Sequence, residues 1–111
     1  MPHADAQRCI EHRILTQHRL IAERLAADPD KVLAHARANL RRWARKYENE
    51  DEPAWMRDWE VLLAGAVEGV VAVLVGGDQE AIRLRSCSPF AGVLSARQRW
   101  AVIRACEHEA C

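Results

Sequence analysis

Between Pro53 and Val75 the chain carries its strongest periodic signal. Trp55, Met56, Trp59, Leu62, Leu63, Ala66, Val70, Val73 and Leu74 fall within about 120° of one another at 100° per residue. That period is helical, not extended. Pro53 restarts a helix, with Asp51 or Glu52 placed for the cap, and Gly76-Gly77 ends it. Val61, Val67, Val71 and Val75 add apolar side chains on the other sides, so the second half is apolar nearly all round. Such a helix must be covered on more than one side, by the rest of the domain or by a partner. Gly65 and Gly69, spaced by four, let another helix approach closely, at a cost of about 1 kcal/mol each in helix propensity. The crossing is either intramolecular or the seam of a homodimer through this third helix.

The remaining chain supplies the covering helices. From about Arg8 to Ala27, Ile10, Ile14, Ile21 and Leu25 recur at helical spacing, widened by Leu15 and Ala22. Asp28-Pro29-Asp30 gives an N-cap, a proline in the first turn and an acid at the positive helix end. A second helix therefore runs to about Tyr47, with Leu33, Ala36, Leu40, Trp43, Ala44 and Tyr47 on its apolar face. The acidic run Glu48 to Glu52 reads as a loop. Asp78 caps a short fourth helix ending near Arg85. Residues 86–94 are irregular, because Ser88 precedes a proline and Gly92 breaks any continuation. Ser95-Ala96-Arg97-Gln98 is a capping box opening a last helix, with Trp100, Ile103 and Cys106 on one face. The expectation is an all-α, compact bundle of about five helices in a single domain, 1–111, with 1–7 and 108–111 as frayed ends.

Composition agrees. Half of the 111 residues are apolar, and 16 basic residues are balanced by 16 acidic ones. Intrinsic disorder is excluded, and a strongly electrostatic nucleic-acid binder is disfavoured. Met1-Pro2-His3-Ala4-Asp5 shows no secretory signal. The apolar stretch Leu62 to Val75, interrupted by Glu68, falls short of the ~20 residues a membrane span needs. A cytoplasmic protein follows, with Cys9, Cys87, Cys106 and Cys111 as reduced thiols.

Several constellations invite a chemical reading. Arg37, Arg41 and Arg45 step by four along the second helix with Arg42 and Lys46 beside them, either a docking face for nucleic-acid phosphates or an acidic partner, or a solvated face. Arg13 and His18 match the Arg-x4-His spacing of small all-helical ribonucleases of the HEPN type, in which His would serve acid–base chemistry. The pair lies about 140° apart on a straight helix, and His18 falls inside the apolar stripe, where a histidine bonded to a backbone carbonyl is the commoner outcome. Cys9, His12, Cys106, His108 and Cys111 would form a zinc site only if the termini met, and their spacing is not that of a zinc knuckle. No cofactor and no metal is expected.

The most distinctive block runs from Leu84 to Trp100. Phe90, the only Phe in the chain, stands between Pro89 and Ala91-Gly92, and Arg83, Arg85, Arg97 and Arg99 flank it. An aromatic anchor ringed by guanidinium groups has the composition of a binding hot spot. The alternative is that Phe90 and Leu94 tuck back over the bundle as a plug. This block, with the segment His18 to Leu25 and the Trp59-x2-Leu62-Leu63 segment, resembles small helical antitoxin-like proteins of bacterial toxin–antitoxin loci. The resemblance implies a non-enzymatic protein that binds and neutralises a cognate toxin, with Ser88, Pro89, Phe90, Ala91 and Gly92 in the family-like motif. Arg85, Leu94, Arg97 and Arg99 complete the expected partner surface. Cys87 departs from the polar residue expected there, and no DNA-binding module of the usual antitoxin kind is recognisable.

Overall fold

The computed structural model describes residues 2–107, with side chains from residue 6 onward. Six α-helices follow one another: α1 (Pro2–Ala27), α2 (Pro29–Ala44), α3 (Ala54–Ala64), α4 (Val67–Val75), α5 (Gln79–Arg85) and α6 (Ala96–Glu107). A 3₁₀ turn, Arg45–Tyr47, extends α2. The all-α bundle is as the sequence predicts, with six helices rather than five. At 1.5 Å per residue α1 is about 39 Å long, close to the 41 Å long axis of the molecule. It begins at Pro2, earlier than the expected Arg8; residues 108–111 lie outside the described part. The radius of gyration, 14.6 Å, exceeds the roughly 13 Å usual for this length, consistent with α1 overhanging the bundle. Ile10, in its first half, remains exposed.

Two of the four expected caps form, at Asp28 and Ser95, whereas α3 opens after Pro53 and α5 after Asp78 with no side-chain cap bond. Asp28 accepts a hydrogen bond from the Lys31 amide at 3.4 Å. Ser95 Oγ accepts from the Gln98 amide at 3.1 Å, and Gln98 Oε1 accepts from the Ser95 amide at 2.9 Å, completing the reciprocal box. Arg24 of α1 also donates to Gln98 Oε1, which ties the start of α6 to α1.

The expected third helix is two helices. Gly65 leaves helical geometry at ψ −162° and Ala66 at ψ 146°, so α3 stops and α4 starts afresh. Glycine is a weak helix former, and the break frees the last carbonyls of α3. Arg37 reaches across from α2 to one of them, donating to Leu63 O at 2.7 Å. Because the chain bends there, α3 packs on α2 while α4 lies against α1 and α5. That arrangement explains the all-round apolar character of α4. Val70 and Leu74 are buried and Val73 half-buried; of the four valines on the other sides the chain half-covers Val67 and Val71 and leaves Val61 and Val75 exposed. The expected intramolecular crossing at the glycines does not occur: a Cβ on Gly69 would meet nothing within 4 Å, and one on Gly65 only neighbouring carbonyls of its own helix. Val61, beside them, is 73% exposed.

Gly76, by contrast, has no room. A Cβ there would lie 2.5 Å from Ala72 O. Gly76→Ala is expected to lower stability by about 1–3 kcal/mol, read as a lower urea midpoint at unchanged slope.

The core is one continuous cluster. Leu25, Ala36, Met56, Trp59, Leu74 and Phe90 sit at its centre. Among the described residues no helix is long and apolar enough to cross a membrane. The expectation of four reduced thiols is corrected at Cys9, which is disulfide-bonded. Cys87 and Cys106 are free.

Candidate functional site

Phe90 is not a protruding anchor. It is 1% exposed and packs edge-to-face on Trp59, with ring centroids 5.7 Å apart. Trp59 in turn donates from Nε1 to Leu84 O at 3.0 Å, fixing the ring that Phe90 meets. Pro89 and Leu94 are buried as well. The plug reading, not the exposed-anchor reading, describes this loop.

Two residues of α2 hold the loop down. Asn39, buried, donates from Nδ2 to Pro89 O at 2.7 Å and to Ala91 O at 2.9 Å, while its Oδ1 accepts from Arg42 at 2.6 Å. His35 Nε2 lies 2.6 Å from the same Ala91 carbonyl; a carbonyl only accepts, so Nε2 carries the proton. Gly92, at φ +89°, turns the chain immediately above His35, and a Cβ there would come within 3.0 Å of Nε2. That position requires glycine on both counts. The sequence reading overlooked Asn39 and His35. An amide on the Leu33-Ala36-Leu40 face was the available signal, since a polar side chain there must find partners.

The flanking arginines do not form a ring. Arg83 pairs with Asp58 of α3 at 2.6 Å and with Glu80 at 2.5 Å, and these carboxylates hold its guanidinium further into the charged range. Arg85 is buried and donates from Nη1 to Val73 O and Gly76 O, at 2.9 and 2.6 Å. It closes the C-terminal end of α4, where carbonyls lack helical partners and the helix dipole favours a cation. Arg97 is exposed on α6 and Arg99 faces the loop. The last helix is rotated from expectation: Val102 and Cys106 are buried, Ile103 is half-buried, and Trp100 is 59% exposed. Trp100 lies about 120° from Cys106 around the helix, beside Arg97 and Arg104.

A cavity of about 250 Å³ lies between α1 and the loop. Seven of the nine expected partner residues, Arg85, Ser88, Phe90, Ala91, Gly92, Leu94 and Arg99, line it together with His18, Gln17 and Ser86 of the neighbouring segments. Pro89 and Arg97 are not among its walls. His18 Nδ1 donates to Ile14 O at 2.7 Å, the backbone-bonded state expected of a core histidine. Burial pushes its pKa below the ordinary value of 6.5, against the raising effect of that hydrogen bond and with a smaller contribution from Arg85.

A group held neutral by the fold binds fewer protons there than when unfolded, so stability rises with pH through that range. His18 therefore contributes in full above pH 6.5, and its contribution falls as pH drops below that value. The difference in unfolding free energy between wild type and His18→Gln should shrink on acidification, at no more than about 1.4 kcal/mol per pH unit. Urea titrations from neutral to acid pH measure it.

The other constellations separate. Arg13 does not line the cavity that His18 lines. Arg37 and Arg42 of the basic stripe are engaged in bonds within the bundle, while Arg41 and Arg45 are exposed. Of the metal candidates, His108 and Cys111 lie outside the described residues, and among the described residues no cluster of three ligating side chains occurs. Comparison with protein-family models, with curated proteins and with solved structures finds no match.

Proposed function

We propose that this helical bundle is a non-catalytic, antitoxin-like interaction protein that binds and neutralises a cognate toxin. The observation that supports the reading is Trp100. It is the most exposed aromatic side chain among the described residues, on a helix face shared with Arg97 and Arg104. A large indole beside guanidinium groups has the make-up of an interface hot spot, and it ends the Leu84–Trp100 block that carries the antitoxin resemblance. The contact is steric: Trp100 fills a pocket on the toxin, and Arg97 and Arg104 meet its acids. Phe90 takes part indirectly, by holding the loop that leads into α6.

The test is co-purification with the product of the neighbouring reading frame, followed by titration of the pair. Trp100→Ala is expected to weaken binding by about 2 kcal/mol or more, roughly thirtyfold, with unchanged thermal stability. Undiminished affinity would remove α6 from the mechanism, and a neighbour that does not bind would remove the antitoxin reading. The proposed homodimer uses the exposed Val61 face of α3, beside the break at Gly65, read as a concentration-dependent mass in sedimentation.

A further inference from the structure

The cavity under the loop contains two polar groups whose bonding is unfinished. His18 is 6% exposed, and its Nε2 has no hydrogen-bond partner among the described residues. Its Nδ1 carries the proton, because the bond to Ile14 O requires a donor. Nε2 therefore offers a buried lone pair, which costs free energy until something donates to it. Arg85 is the second. Only Nη1 is used, on two carbonyls, and no carboxylate pairs with the guanidinium among the described residues. Arg99 adds a further cation to the same wall, and its guanidinium makes no hydrogen bond to a described residue. Ser88 supplies a hydroxyl.

These groups ask for a ligand that is anionic toward the arginines and a donor toward the histidine. A carboxylate at neutral pH has no proton to give. A phosphodiester has a charge but no P–OH. A phosphate monoester has both, because its second ionisation lies near pH 6. The volume, about 250 Å³, lies just under the roughly 300–1,000 Å³ of common small-molecule sites and admits the phosphate with a small substituent. We propose that this cavity binds the phosphate of a small monoester, its oxygens on Arg85 and Arg99 and one P–OH donated to His18 Nε2.

The bound state holds one proton between phosphate and imidazole. Above neutral pH neither free partner holds it, since His18 is buried beside cations and the phosphate is a dianion. Binding then takes up a proton, and affinity falls by about tenfold per pH unit. The charged groups around the site are Arg85 and Arg99 in its walls, Arg19 and Glu11 on α1, and Asp78 before α5, the last three acting on Arg85. The slope is assigned to His18 and the ligand, the two groups that share the proton in the bound state.

The experiment titrates the full chain with inorganic phosphate, ribose 5-phosphate and dimethyl phosphate at constant ionic strength. Affinity is read by calorimetry, and the His18 ring nitrogens by NMR. Phosphate and the sugar phosphate are expected to bind saturably and to move the Nε2 resonance toward its protonated position, with dimethyl phosphate inactive. Arg99→Gln, at an exposed position, should weaken binding about tenfold without altering the melting temperature. Equal binding of dimethyl phosphate, an unmoved Nε2 resonance, or an Arg99→Gln affinity equal to wild type would each overturn the assignment. Dependence on the neighbouring toxin is not involved, so failure here leaves the antitoxin reading standing, and the reverse.

Discussion

Phe90→Ala is expected to cost about 3–5 kcal/mol of folding stability, a large share of the roughly 5–15 kcal/mol a domain has in total. The ring is almost fully buried, so its removal takes away both the transfer free energy of the aromatic surface and the contacts around the void. The edge-to-face pairing with Trp59 adds about 1 kcal/mol beyond area. Trp59 cannot move into the gap, because its indole N–H is bonded to Leu84 O. Equilibrium urea unfolding checks this. The same variant separates a structural plug from a contact anchor. A structural plug loses stability and weakens partner binding only in proportion to the unfolded fraction. A contact anchor loses affinity while the melting temperature stays put, and that second pattern would mean the loop opens on binding.

How much of this was legible in the sequence depends on how local the cause is. Asp28 before Pro29 and the Ser95–Gln98 box set helix starts through bonds three residues long, and both were readable without any tertiary information. The Trp59 stripe was readable because a period of 3.6 needs only the chain itself. His18 was readable as a core residue for the same reason. The break at Gly65 was not. Glycine within an apolar run is tolerated in a helix or ends it according to what the two halves pack against, and here α3 and α4 have different neighbours. Arg85 was misread as a flanking charge, because the carbonyls it satisfies exist only if α4 ends at Val75. Trp100 was placed inward by its spacing from Ile103 and Cys106, whereas the i, i+4 pair Val102 and Cys106 took the contact with the bundle. Phe90 looked unburied because its coverage comes from Trp59 and from a loop pinned by Asn39, fifty positions away from Pro89.

Asn39→Asp is the sharpest probe of that pinning, since it changes no volume. The asparagine nitrogen donates to two loop carbonyls and its oxygen accepts from Arg42. In the ionised variant the second carboxylate oxygen faces Pro89 O and Ala91 O with nothing to donate. His35 still serves Ala91 O, but Pro89 O is left facing an acceptor. An unpaired buried acceptor and a partly desolvated charge together are expected to cost about 3 kcal/mol at neutral pH. Protonation relieves part of this, because the acid form regains one donor. Burial and the facing carbonyls raise the folded-state pKa of this carboxyl, and exposed Arg42 offsets them incompletely. An acid whose pKa is raised by folding binds more protons folded than unfolded, so the variant loses stability as pH rises from about 4, the unfolded aspartate value. The gap to wild type should therefore widen between acid and neutral pH, whereas Asn39→Ala should show a loss with no such slope. A cost under about 1 kcal/mol at neutral pH, or a gap that does not change with pH, would mean that the amide does not clamp the loop and that His35 and Trp59 keep Phe90 inside.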